Sequence, residues 1–468
     1  MKRSLQVAIL VAAIRGFTSG VPLAHAQTWR TVDDYTLAAG QSVIAAKIVC
    51  GQSGRVLAGI TFSEVSGGVS LTHTRFRRSS DYGATWADAG TLPTPPSGAQ
   101  QGSLQGLSVS PTGDAYALRH IYPYWQVHRS SMDTDSSWPM MDNFLQDSAS
   151  VCSAVACSPS ENVFVVGQAL GPNSSRRWLV RRSADQGQTW TTVDDFNGIW
   201  ASAVATSSSM IIVSGRGGTL TNLSGGINAD QPWTTRLSTD GGNSWTTVDS
   251  FQLAADTHGW PKAAAIDQQG NLYLAGNAEI STGSFVTQWI VRRSVDGGQT
   301  WDTVDTLDNG GLSASAESLV VDASGKVFAA GRTSSGWLVR VSTNGGTDWT
   351  DSELYDYPSG QAASVKCLAA DADGNVLAIG TATDTAGNGH FVVRRLDGPP
   401  RLMAGLSRGS LGLMWSTNAT GYLLQSATTL ANGGDWQDSG LTPTVSNGQN
   451  VIAIGTTNTA GFFRLRQP

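Results

Sequence analysis

An octapeptide, Ser294 to Trp301 (SVDGGQTW), returns along this chain as SSDYGATW (Ser79 to Trp86), SADQGQTW (Ser183 to Trp190), STDGGNSW (Ser238 to Trp245) and STNGGTDW (Ser342 to Trp349). Serine and tryptophan keep a spacing of seven in every copy. Such a unit restricts the fold severely. Asp or Asn followed by Gly makes a tight hairpin turn, in which the carboxylate folds back on nearby N–H groups and Gly takes positive φ. The Trp is expected to begin the next strand and pack inward, and a recurring hairpin implies a recurring sheet. Asp81, Asp185, Asp240, Asp296 and Asn344, with Trp86, Trp190, Trp245, Trp301 and Trp349, therefore read as structural staples.

Strands leading into the boxes supply a register. With Arg78, Arg129, Arg182, Arg236, Arg293, Arg340 and Arg395 as markers, the units stand 47 to 57 residues apart, a length that suits a blade of four strands with its loops. Turns such as Asp322 to Lys326 (DASGK) and Asp371 to Asn375 (DADGN) place glycine for bulged hairpins between the first two strands. The second unit, Ser130 to Trp138, has one extra residue and no glycine. The seventh has no complete box, but Thr28 to Tyr35 (TWRTVDDY) nearly repeats TWTTVDDF at Thr189 to Phe196. The expected architecture is all-β: a seven-bladed β-propeller over residues 27–398, whose ring is closed by strands from both ends, leaving no free sheet edge.

Across 468 residues there are 54 glycines and 16 tryptophans, and only 14% of residues are charged, which suits short strands and turns rather than helices. The formal net charge of −6 contains no long run of one sign, so no nucleic-acid stripe is expected. Lys2 and Arg3, the apolar run Leu5 to Ile14 and the end Ala24-His25-Ala26 read as a secretory signal, cleaved before Gln27, in a protein bound for secretion or the cell surface. That run is shorter than the roughly 20 residues a bilayer needs, and no membrane span is expected. Cys50, Cys152, Cys157 and Cys367 all fall on expected innermost strands and are read as buried free thiols; without histidines at ligand spacing they make no metal site, and no cofactor is expected. Residues 399–468 lack the box and form a small C-terminal β-sandwich in outline.

The five octapeptides resemble the Asp-box, or BNR repeat, of sialidases and other β-propeller families. Trp415, Gly421-Tyr422 and Phe462-Phe463-Arg464-Leu465 resemble the fibronectin type III-like modules that end many bacterial exported proteins. Resemblance to sialidases implies a glycoside hydrolase with an arginine triad, a tyrosine paired with glutamate as nucleophile, and an acidic acid/base. The candidates here are Glu317, Asp256 and Tyr355 or Tyr357. Those parts are poorly represented, since no F-R-I-P-like segment opens the propeller and seven units replace the six of sialidases. Blades without an enzyme constellation also resemble photosystem II assembly factors, in which the propeller is a binding scaffold.

In a propeller the turns between second and third strands, and the loops joining successive blades, share one face, where ligands usually dock. That face is expected to present Tyr122, Tyr124, Trp125, Trp200, His258, Trp260 and Phe285, aromatics suited to stacking on sugars or peptides. Second-strand ends add a polar ring that includes Arg216 and Arg332. The function expected is non-catalytic recognition of a glycan or an extracellular protein by a monomer; a glycoside hydrolase and a structural cell-surface exoprotein are the alternatives.

Overall fold

The structure, a computed structural model, describes residues 28–66, 69–93, 102–133, 137–170, 176–218, 231–255, 257–281, 286–307, 309–358, 363–398, 400, 402–407, 410–416, 421–430, 434–446, 449–455 and 461–466. The expected secretory signal lies outside them. Every regular element among the described residues is a strand, and Trp29–Leu396 forms one compact unit, separate from the residues that follow it.

Trp29–Leu396 holds seven four-stranded antiparallel sheets, here numbered one to seven. Their first strands are Ser42–Cys50, Ser103–Val109, Ala149–Cys157, Trp200–Thr206, Gly259–Ile266, Ser315–Val321 and Ala363–Ala370. Each first strand packs against the first strand of the next sheet, and Ala363–Ala370 packs against Ser42–Cys50, so the seven form a closed cycle. Sheet seven takes its fourth strand from the start of the chain: Trp29–Thr36 pairs antiparallel with Gly389–Leu396, Trp29 opposite Leu396 and Tyr35 opposite Phe391. Second strands such as Val163–Leu170 and Leu272–Glu279 are buried almost end to end, because neighbouring sheets cover both of their faces, and their sequences are correspondingly near-continuous in apolar residues.

The boxes fold as the turn chemistry demands. In the fifth sheet Ser294 Oγ donates to Asp296 Oδ1 (2.9 Å) and accepts from Gly298 N (2.9 Å), while Asp296 accepts from Thr300 N (2.9 Å) and Thr300 Oγ1 (2.6 Å). Those hydrogen bonds favour the ionised carboxylate: led by the Thr189 hydroxyl and N–H, they hold Asp185 down to about 2. Box tryptophans are half-buried, not fully inward, and precede the fourth strand; Trp301 Nε1 donates to Gly298 O at 3.2 Å. The fully buried indoles are a second set, Trp125, Trp178, Trp233, Trp289 and Trp337, on the third strands. Each of four packs against a glycine of the next sheet's second strand. At Gly331 a Cβ would stand 2.8 Å from the Trp289 ring and 1.9 Å from Ser315 O, so only glycine fits.

Seams between sheets are closed by arginines, and here the sequence markers need correction. Arg236 and Arg340 are not equivalent to Arg78, Arg182 and Arg293; the pairing register puts Leu237 and Val341 there, one residue on and on the opposite face. Two arginine positions exist. The outer one reaches the next sheet's box turn, as in Arg182 to Gly241 O and Arg293 to Gly345 O, both 2.7 Å. The inner one grips an acid on the preceding sheet's fourth strand: Arg77–Asp33, Arg236–Asp194 and Arg292–Asp249 are bidentate, and Arg181–Asp142, Arg340–Asp305 and Arg394–Glu353 occupy equivalent places. Five of these guanidinia also lie over a ring, such as Arg292 over Phe251 at 4.1 Å. At the seam between sheets one and two both partners change together. Gly90 replaces the acid and His128 the arginine, with burial driving the imidazole down to about 4 and keeping it neutral.

The residues from Asp397 onward form two antiparallel sheets, one of four strands and one of three. Leu413, Trp415 and Ile452 from the first share a core with Leu424 from the second.

Candidate functional site

All seven first strands carry a β-bulge: in sheets three to seven it falls beside the residue opposite the second-strand glycine, sheet two has it at the same step without a glycine, and in sheet one it falls two residues nearer the start of the strand. The residues left without a partner are Ile44, Gln105, Ser153, Ser202, Lys262, Glu317 and Lys366. A bulge breaks the alternation of faces and re-aims a side chain. Six of the seven line one cavity of about 480 Å³ on the axis of the cycle, together with Lys47, Ser103, Trp200, Arg216 and Trp260. A smaller cavity of about 270 Å³ lies between sheets five and six, around the Arg340–Asp305 pair already described.

Charge in the axial cavity is lopsided. Among the described residues, Lys47, Arg216, Lys262 and Lys366 face it against one carboxylate, Glu317. Lys262 Nζ donates to Glu317 Oε2 at 3.1 Å, and Arg332 Nε, on a largely exposed side chain, stands 4.0 Å from Oε1. Burial alone would raise the Glu317 carboxyl, but the Lys262 charge, bonds from Ser315 and Lys262, and Arg332 together hold it below its ordinary value. Burial, with Arg332 and Lys262 close by, pulls the Lys366 ammonium down, and Glu317 opposes this. Burial brings Arg216 down to about 10; its guanidinium lies over the Trp260 ring at 5.1 Å and donates to Gln231. Trp200 Nε1 donates to Ser153 of the adjacent bulge.

Of the residues singled out in the sequence, the structure brings Trp200, Arg216, Trp260 and Glu317 to this cavity, with Arg332 against Glu317. His258 stands beside it, its ring 5.8 Å from that of Trp260 and its Nδ1 3.0 Å from Glu279. Trp125 is a correction: it is completely buried, 4.8 Å from the Phe144 ring, because it belongs to the third-strand indole set and not to the loop before it. Tyr122 and Tyr124 flank the turn into that strand, away from the cavity lining. Tyr355 does not meet Glu317; it is the ring beneath Arg394 (4.2 Å) and packs on Trp337 (5.4 Å), a seam residue. Tyr357 is tied to Asp34 and His390, at 2.8 Å each. Asp256 and Phe285 lie outside the described residues. Lys47, Gln105, Lys262 and Lys366 were missed. Their signal was a charged or amide residue inside an otherwise apolar first strand, as in Pro261-Lys262-Ala263 and Val365-Lys366-Cys367, but period-two reading sends such a residue to the wrong face unless the bulge is known.

The repeated boxes and the antiparallel four-stranded sheets agree with comparison to known proteins. Residues 217–439 match the BNR repeat-like domain. The fold is a β-propeller. No curated protein matches the sequence. Among solved structures, a polysaccharide lyase, ulvan lyase, is similar at 11% identity and a TM-score of 0.54, over 78% of this chain and 96% of that one. The same lyase bound to -[GlcA(1-4)Rha3S]- gives 12% identity and 0.52, over 79% and 95%. An α-L-arabinanase of Penicillium chrysogenum gives 14% and 0.43, over 62% and 92%. At these identities the likeness is one of fold. No helix among the described residues of the propeller or the following unit is long and apolar enough to cross a membrane.

Proposed function

We propose that this chain is an exported, non-catalytic recognition protein, a seven-bladed propeller that binds a glycan in its axial mouth and carries a fibronectin type III-like module at its C-terminal end. The observation that carries the reading is the state of Glu317. The one carboxylate among the described lining residues is engaged by Lys262 at 3.1 Å and held ionised, while Tyr355 serves a seam. A general acid needs a raised pKa, and a retaining pair needs a second group about 5 Å away; the described residues of the lining offer neither. What it offers is Trp200 and Trp260 beside polar groups fixed by bulges, the usual composition of a saccharide site. The saccharide bound by the ulvan lyase makes carbohydrate the first class to test.

Binding to a glycan array is the direct test. Retention of glycans is expected, with Trp200→Ala/Trp260→Ala losing at least about tenfold in affinity, as removal of stacking surface requires. Undiminished binding by that double variant would move the site elsewhere. Reporter release from sialoside or β-glucan substrates, abolished by Glu317→Gln, would replace recognition with hydrolysis.

A further inference from the structure

The ring of bulges distributes charge unevenly. Sheets one to four contribute Ile44, Gln105, Ser153 and Ser202; sheets five, six and seven contribute Lys262, Glu317 and Lys366. Arg332 stands behind Glu317 from the second strand of sheet six, and Lys47 faces the same cavity from sheet one. Glu317 is shared between Lys262 and Arg332. Lys47 and Lys366 make no side-chain hydrogen bond or ion pair among the described residues, and Glu279, the next acid, is taken by His258. A protein of formal net charge −6 has gathered cations where neighbouring cations repel them. The inner seam arginines, by contrast, each come with an acid, and the outer ones are held by box-turn carbonyls, so the fold supplies partners there that it does not supply for Lys47 and Lys366 at the axis. Trp200 and Trp260 on the adjoining arc add apolar ring faces.

We infer that the axial mouth is a receptor for an anionic saccharide, whose carboxylate or sulfate groups are held by Lys262, Lys366 and Arg332 while Trp200 and Trp260 contact the sugar rings. This rests on the glycan-binding reading. A sugar anion fits better than a nucleic-acid strand because the cations form an arc around a concave mouth instead of a stripe along a surface. Glu317 then acts as the internal counter-ion that holds Lys262 in place and that the ligand's anion partly replaces.

The test is titration of the whole chain with polygalacturonate and a sulfated galactan, against neutral galactan, xyloglucan and single-stranded DNA. Binding to the acidic glycans is expected. It should weaken at least about tenfold between 0.05 and 0.5 M NaCl, as ligand charges become screened, and by at least about tenfold in Lys262→Ala/Lys366→Ala. Glu317→Gln should bind acidic glycans more tightly, since it removes the competing carboxylate. If the double lysine variant fails to fold, Arg332→Ala, whose side chain is 65% exposed, carries the same test. Preference for neutral glycans, or acidic binding unchanged by salt and by these variants, overturns this inference and leaves glycan recognition standing. Binding to DNA as tight as to the acidic glycans makes the site a general polyanion trap and also overturns it. No binding to any glycan overturns both.

Discussion

Polar groups occupy two kinds of place in this propeller, the seams between sheets and the axis, and they are handled in opposite ways. At the inner seam position each arginine meets an acid: Arg77–Asp33, Arg236–Asp194 and Arg292–Asp249 close with two hydrogen bonds each, and where Gly90 removes the acid, His128 removes the charge. At the axis four basic side chains face one carboxylate among the described residues. A buried charge without a partner is expensive, so selection for stability alone neutralises it, as the seam between sheets one and two shows. The difference teaches that the seams satisfy the fold and the axis waits for something outside it.

Breaking a seam is expected to have the largest effect. Arg292→Ala leaves Asp249 buried without its bidentate partner and strips a cation from Phe251; the loss is about 3–5 kcal/mol, read as a lower urea midpoint. Arg292→Ala/Asp249→Leu should recover much of it, because an apolar pair leaves nothing unpaired. A single variant no weaker than wild type would mean that the seam ion pairs are not structural.

Acid titration separates two classes of aspartate by sign. Burial, against Arg340 and the Trp289 N–H, pushes Asp305 up to about 6, whereas the unfolded chain titrates near 3.9. Between about pH 4 and 6 the folded state holds a proton that the unfolded state has released, so stability from this group falls as pH rises and the cost is complete above about 6. Asp305→Asn should flatten that slope, worth on the order of 2–3 kcal/mol. Asp185, held at about 2 by Thr189 and Ser183, behaves oppositely: its contribution is present above about 4 and lost as pH falls to 2, and Asp185→Asn should flatten only that limb. Urea titrations across pH 2 to 7 distinguish the two slopes.

A smaller loss is expected inside a box. Ser294→Ala removes the acceptor of the buried Gly298 N–H and the donor to Asp296, about 1–3 kcal/mol for an orphaned buried amide. Gly298 at φ +93 cannot reorient to find another acceptor without breaking the turn.

How much of this was legible in the chain follows the same division. The boxes were readable because turn chemistry is local: serine, aspartate, glycine and tryptophan interact within seven residues. Closure of sheet seven by Trp29–Thr36 was readable because that strand repeats its siblings. The seams were half readable, since arginine before the box is obvious but its face depends on a register that two of seven markers missed by one residue. Trp125 was misplaced for the same reason, an aromatic beside a loop being indistinguishable from one just inside a strand. The axial bulges were not readable at all. Nothing local marks Lys262, Glu317 or Lys366 as skipped in the ladder, because the skip arises opposite the glycines Gly276, Gly331 and Gly380, where the previous sheet or the first strand leaves no room for a side chain.

The smallest expected effect tests the axis directly. Lys366→Met keeps the aliphatic stem and removes a charge that burial, Arg332 and Lys262 already disfavour. Stability should therefore stay level or rise by about 0.5 kcal/mol, against the loss expected for any seam arginine. Lys262→Met differs in kind, because it strands Glu317 and should lower the urea midpoint. If Lys366→Met instead unfolds the protein as a seam variant does, the axial cations are part of the scaffold after all, and the contrast between the two regions disappears. If it is silent in stability and costly in binding, the charge excess belongs to the ligand, since no contact within the fold is left to claim it.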